Sequence, residues 1–165
     1  FIVVQKGDNM LKNYIINDET LLLIPYFYNG ANITKVYEFD EELLVEKLPY
    51  EIIKESCLFF GSSFEGRRDG TMALINCKMK VPVIIEESRK ILFFPTCSIE
   101  NSNNMWISYN NMINFNKVDS KETVINFKKN KSIMVNVKYN LIDNQFVRCI
   151  KLDSVISNRF DKHLY

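Results

Sequence analysis

Residues 20–39 read TLLLIPYFYNGANITKVYEF. β-Branched and aromatic residues fill Thr20 to Tyr28 and Ile33 to Phe39, and Asn29-Gly30 stands between them. Asn-Gly tolerates the positive φ that a tight turn between antiparallel strands requires. The stretch therefore predicts a hairpin. Its apolar run, Leu21 to Tyr28, is interrupted by Pro25 and falls well short of the roughly 20 apolar residues of a membrane-spanning helix.

The same pattern recurs downstream. Pro82 to Ile85 and Ile91 to Phe94 flank the polar turn Glu86 to Lys90. Thr123 to Phe127 and Ser132 to Val137 flank Lys128-Lys-Asn-Lys131, a third hairpin with a basic tip. Thr71 to Cys77 reads as a further strand. Trp106, the only tryptophan, follows an Asn/Ser-rich loop and is expected to anchor the core. Helical signals are confined to two places. Pro49 suits the first position of a short helix near residues 49–56, with Ile52 and Ile53 inward. From Leu141 the apolar period becomes three-four, through Ile142, Phe146, Cys149 and Leu152, which predicts an amphipathic helix near residues 142–158 carrying Arg148 and Lys151. The fold class is α+β: mostly antiparallel β meander and hairpins, with that short helix and a C-terminal helix. Length and the lack of a linker or repeat predict a single domain over residues 1–165.

Composition narrows the function classes. Hydrophobic residues make up 47% and charged residues 25% of the chain, which excludes a mainly disordered protein. The formal net charge is +1, which at face value argues against a nucleic-acid binder. It is a cancellation, however. Residues 1–55 hold 5 Lys/Arg and 10 Asp/Glu, net −5, and residues 56–165 hold 16 and 10, net +6. Such a chain can present a basic face, although chance sorting of solvated charges produces the same count. The first residues, Phe1 to Lys6, lack the layout of a signal peptide and an initiator Met, so a trimmed or partly covered N-terminus is expected.

Catalytic and metal chemistry find little support. Cys57, Cys77, Cys97 and Cys149 form no Cys-x-x-Cys pair, and His163 is the only histidine. This spacing suggests neither a zinc site nor any other cofactor, and reads as four reduced thiols in a cytoplasmic protein. A cysteine nucleophile would need a base, and His163 lies in the tail. Glu41-Glu42 and Glu86-Glu87 are adjacent, so on a strand they point to opposite faces and make poor acid/base pairs. Phe59, Phe60, Phe93 and Phe94 are expected in the core. No catalytic constellation emerges, so the chain is not expected to be an enzyme.

The strongest local signal is Gly61-Ser-Ser-Phe-Glu-Gly66-Arg-Arg-Asp-Gly70, which holds three of the five glycines. It is a near miss to a phosphate-binding P-loop, lacking the Lys and Ser/Thr that must follow the second glycine. A plain turn accounts for the glycines. A glycine loop that presents Arg67, Arg68 and the hydroxyls of Ser62 and Ser63 suits phosphate contacts or a narrow groove.

The string from Cys57 to Thr71 resembles the signature of the competence transcription factor ComK family. The resemblance continues through Lys80-Val-Pro82-Val-Ile-Ile, Leu92-Phe-Phe-Pro95-Thr96, Trp106-Ile-Ser108, Asn144-Gln145, Arg148 and Leu152, and covers roughly residues 20 to 160. It implies a cytoplasmic, nucleoid-associated transcription activator of competence genes. Family members bind double-stranded promoter DNA at paired A·T-rich boxes, mainly through the minor groove, as dimers that assemble further. They are controlled by adaptor-guided proteolysis that reads a C-terminal segment. Three departures stand out. Tyr109 and Asn111 replace histidines that relatives often carry after Trp-Ile-Ser. Asp153 follows Leu152 where relatives carry a basic residue, which could weaken binding or alter site choice. The chain ends at Tyr165, before the aromatic-basic regulatory tail.

The resemblance, joined to the charge pattern and the loop chemistry, implies a mechanism. Arg67 or Arg68 is expected to enter the narrow, electronegative minor groove of A·T-rich DNA. Ser62 and Ser63 contact phosphate, and Lys78, Lys80, Lys138, Arg148 and Lys151 add sequence-independent phosphate contacts. The acidic first third then lies away from DNA, free for contacts with a second copy, RNA polymerase or a proteolytic adaptor. The alternative is a divergent member of the family that acts as a protein-interaction module and does not bind DNA by itself.

Overall fold

The computed structural model describes residues 10–161; residues 1–9 and the tail with His163 lie outside the described residues. In chain order the elements are β1 (Thr20–Tyr28), β2 (Ala31–Glu38), β3 (Glu42–Val45), α1 (Pro49–Phe59), α2 (Phe64–Ile75), β4 (Val83–Glu86), β5 (Ile91–Pro95), β6 (Trp106–Ser108), β7 (Met112–Lys117), β8 (Thr123–Phe127), β9 (Lys131–Val135) and α3 (Tyr139–Asp161). All strand pairs are antiparallel. The α+β class holds, as do the three hairpins and the two expected helices. The first hairpin closes at Tyr28 opposite Ala31, with Asn29 and Gly30 both at positive φ. The third closes at Phe127 opposite Lys131, one residue wider, with Lys129 and Asn130 also at positive φ, 56° and 55°, and no glycine. No described helix is long and apolar enough to cross a membrane.

Six strands form one sheet in the order β3-β2-β1-β6-β5-β4, and β7-β8-β9 form a second. The large sheet is buried on both faces, and its strand sequences say why. Successive side chains of a strand point to opposite faces. Leu23, Phe93 and Trp106 join one core with Ile52, Ile53, Cys57 and Phe64, the inward residues of α1 and α2. Leu22, Phe94 and Ile107 join a second core with Ile125, Phe127 and Val135 of the small sheet and with Ile142, Cys149 and Leu152 of α3. Strands covered on both sides lose the apolar-polar alternation and become continuous apolar runs, as in LLLI and ILFF.

The glycine-rich segment departs from expectation. Only Gly61 to Ser63 of the expected loop are non-helical, and Thr71 to Cys77 is not a strand; Phe64 to Ile75 is one helix. Glycine costs about 1 kcal/mol in a helix interior, and α2 holds two, Gly66 and Gly70. Tertiary packing outweighs that cost, because Phe64, Thr71 and Ile75 form one buried stripe at helical spacing. Phe59 is a second correction: Phe93 and Phe94 are fully buried, whereas Phe59 is 67% exposed at the end of α1. Strands β3, β6 and β7 and the first turn of α3 extend the expected set.

Candidate nucleic-acid interface

The link between α1 and α2 is built by two caps. Gly61, at φ +84°, donates its N–H to the Leu58 carbonyl at 3.0 Å, and Ser62 N–H reaches the Cys57 carbonyl at 3.0 Å. That pair of bonds is the Schellman ending of a helix, and it needs a residue at positive φ. Ser63 then caps α2: its Oγ accepts the Gly66 N–H at 3.0 Å. A Cβ on Gly66 would stand 3.0 Å from that same oxygen, so the glycine leaves room for the cap. Thus Gly61, Ser62, Ser63 and Gly66 make a sharp helix-to-helix turn. Gly61→Ala is expected to lower stability by about 1–2 kcal/mol, the cost of forcing an L side chain into the left-handed region, read as a lower urea midpoint.

The adjacent arginines diverge. Arg67 pairs with Glu87 in the β4–β5 turn and its side chain is only 16% exposed. That turn is itself held by Glu86, which accepts the N–H groups of Ser88 and Arg89 at 2.9 and 2.8 Å. Hydrogen bonding from Ser88 leads the effects that bring the Glu86 carboxyl down to about 2. A depressed folded-state value stabilises the protein above about pH 4.5, and this contribution is lost as the pH falls toward 2. Glu86→Gln is therefore expected to flatten the loss of the urea midpoint between pH 6 and pH 3.

Arg68 instead lines a cleft of about 180 Å³ together with Lys78 and Lys80. None of the three has an ion-pair partner among the described residues. Lys78 and Lys80 are exposed and Arg68 is half-buried. The cleft wall from Asn76 to Lys80 is an irregular segment: α2 ends at Asn76 in the left-handed conformation, and Lys80 also has φ 51°.

Helix α3 ties this segment down. Gln145, 1% exposed, donates through Nε2 to the carbonyls of Lys80 at 2.8 Å and Pro95 at 2.6 Å. Arg148 Nη1 donates to the Met79 carbonyl at 2.9 Å and to Gln145 Oε1 at 3.0 Å. Lys151 Nζ reaches the Ile75 carbonyl at 3.4 Å. Five of the expected basic residues, Arg68, Lys78, Lys80, Arg148 and Lys151, therefore meet around one segment. Arg148 and Lys151 serve it first as braces. Lys138 is exposed just before α3, about two helical turns from Gln145. Ser62 and Ser63 lie at the start of α2, the Ser63 hydroxyl engaged in capping. Gln145 is the residue that charge-based reasoning passes over.

The departures noted in the sequence find places too. Asn111 Nδ2 donates to the carbonyls of Asp18 and Thr20 at 3.0 and 3.2 Å, and the Tyr109 ring lies 5.3 Å from that of Phe146. Both are packing positions. Asp153 stands 3.5 Å from Lys90, about 140° around α3 from Arg148. In the basic hairpin tip, Lys129 is held by Glu19 at 3.1 Å and lies over the Phe39 ring. All four cysteines are free thiols; burial pushes Cys57 up to about 11 and raises Cys149 as well.

The sheet is thus covered on both faces, and Arg68, Lys78 and Lys80 gather at the segment that α3 braces. The chain belongs to the ComK family, whose model, described as ComK protein, matches residues 11–161. It is 31% identical over 157 residues to the competence transcription factor of Bacillus subtilis (strain 168), an alignment that spans 95% of this chain and 82% of that protein. No solved structure matches.

Proposed function

We propose that this chain is a DNA-binding transcription activator of competence genes that reads paired A·T-rich boxes through the minor groove. The observation that carries the proposal is the cleft of Arg68, Lys78 and Lys80, three cations that form no ion pair among the described residues and outnumber the one acid of its lining, Glu100, in a chain similar to a competence transcription factor. The A·T minor groove offers few distinguishing base contacts, and its narrowness concentrates negative potential that attracts an inserted arginine. Arg68 is the groove reader, since Arg67 is engaged with Glu87. Lys78 and Lys80 contact phosphate beside it. Arg148 and Lys151 brace the segment and leave their remaining N–H groups for phosphate, while Lys138 and Ser62 lengthen the track. Paired boxes call for a two-fold dimer, because symmetric half-sites match symmetric subunits. The first third of the chain faces other partners: a second copy, RNA polymerase or a proteolytic adaptor.

The test is binding of the purified chain to an A·T-box duplex and a G·C control. Arg68→Ala is expected to reduce the A·T preference by about tenfold, the 1–2 kcal/mol of a lost groove contact. Arg67→Ala is expected to leave the preference in place and lower thermal stability. An unchanged preference in Arg68→Ala would remove Arg68 from the role. Failure of the wild-type chain to bind either duplex would favour a protein-interaction module.

A further inference from the structure

A second cleft, of about 340 Å³, opens where the tip of the β1–β2 hairpin meets the start of α1 and the segment before β6. Tyr26, Tyr50 and Trp106 are its rings, and Pro25, Pro49 and Leu48 complete its apolar walls. Trp106, Ile99 and Glu100 also line the basic cleft, so the two share a wall. Tyr26 and Leu48 are 38% and 46% exposed, large apolar groups left to solvent at the rim. A volume of this size falls within the roughly 300–1,000 Å³ range of ligand sites.

Two donors in its walls have no acceptor among the described residues. Asn104 is 5% exposed; its Oδ1 accepts the N–H groups of Thr96 at 3.1 Å and Cys97 at 2.9 Å, but its Nδ2 has no partner. Trp106 is 1% exposed and its Nε1 is likewise unpartnered. A buried N–H without an acceptor costs stability, so such groups point to an acceptor supplied from outside. Charge selects further: among the described residues no Lys or Arg lines the cleft, and the exposed Glu100 does. An anionic ligand is disfavoured, and a basic residue next to the bound segment is favoured.

We propose that this cleft docks an extended, proline-bearing peptide segment of a partner protein, with a basic residue beside Glu100. A polyproline helix has no internal hydrogen bonds, so its carbonyls remain free for the Asn104 and Trp106 donors. Its rings stack on aromatic walls at low entropic cost, the mode by which aromatic-lined grooves recognise proline-rich segments.

Trp106 is the only tryptophan, so a ¹⁵N-labelled chain gives one indole N–H signal. The probe is the peptide acetyl-Pro-Pro-Pro-Pro-Pro-Arg-amide, titrated to about 2 mM. The indole signal is expected to shift saturably, and the same peptide ending in Asp is expected to bind about fivefold more weakly, in keeping with the short-range effect of one surface charge. Leu48→Ser removes an apolar wall while supplying a better helix cap than leucine, and is expected to weaken binding about fivefold. Asn104→Asp keeps the acceptor for Thr96 and Cys97 and removes the free donor, and is expected to weaken it by a similar factor. An indole signal that stays fixed to the end of the titration would overturn the proposal. So would an equal shift with a Gly-Ser peptide of the same length, or undiminished binding by Leu48→Ser.

Discussion

Replacing Gln145 by alanine is expected to lower the stability of the protein by about 2–5 kcal/mol. The side chain is buried, and one amide nitrogen satisfies two carbonyls, Lys80 and Pro95, from segments that do not otherwise pair. Its oxygen in turn accepts from Arg148. Removing the amide leaves the buried Pro95 carbonyl and the part-buried Lys80 carbonyl without this donor; a buried unsatisfied group costs about 1–3 kcal/mol, and the cavity adds to it. Gln145→Met keeps most of the volume and restores no hydrogen bond. If the carbonyls dominate, Met recovers little of the loss in urea unfolding; if the cavity dominates, it recovers most. The same substitution is expected to weaken DNA binding in conditions where the protein remains folded, because residues 76–80 carry two of the three cleft cations. A full recovery by Met would mean that Gln145 acts by filling space.

Several features of the fold can be read directly from the sequence. The three hairpins appear as apolar run, turn and apolar run, and Asn29-Gly30 even specifies the sign of φ at the turn. The amphipathic stripe of α3 is visible because Ile142, Cys149 and Leu152 recur at helical spacing on one buried face. Helix α2 is concealed by its composition. Gly66 and Gly70 lower its helix propensity, and its deciding evidence is tertiary: Phe64 packs edge-on to Trp106 at 6.2 Å, a contact between residues distant in sequence. Strands β3 and β6, of four and three residues, are too short to show a period, and β7 shows no alternation because four of its six residues, Ile113 and Asn114 among them, are exposed.

The site divides along similar lines. Lysine and arginine are conspicuous, so the cations of the cleft can be nominated by type alone. Which of them are free cannot, because ion pairing depends on what the fold brings near. Arg67 and Arg68 are neighbours in sequence, yet one pairs with Glu87 and the other faces the cleft. The regional charge split is likewise moderated by folding: Asp18 and Glu19, from the acidic third, neutralise Arg89 and Lys129 from the basic part. Gln145 carries no charge and belongs to no motif with a chemical signature. Its importance lies in two carbonyls, at positions 80 and 95, that its amide reaches only when α3 packs beside the β4–β5 hairpin.

The largest change in binding is expected from the triple substitution of Arg68, Lys78 and Lys80 by alanine. Each phosphate contact contributes about 0.9 to the slope of log K against log salt, through release of condensed counterions. Lys78 and Lys80 are the phosphate contacts of the three, so their loss lowers that slope by about 1.8. Extrapolated from 1 M, where the contribution vanishes, to 0.1 M salt, it lowers the affinity by about 60-fold, and the lost groove contact of Arg68 adds about tenfold. The loss thus has a signature beyond its size: wild type and variant draw closer as salt rises, down to the tenfold difference of the groove contact. A control of equal charge loss separates contact from long-range field. Lys54, Lys117 and Lys121 are exposed and lie outside the cleft, so their joint replacement by alanine changes the net charge by the same three units. Screening confines exposed charges to about 10 Å at 0.1 M salt, so this control is expected to lose only a few-fold in affinity with little change in slope. Equal losses in the two triples would mean that DNA responds to the overall charge of the chain, and the cleft would forfeit its place as the interface.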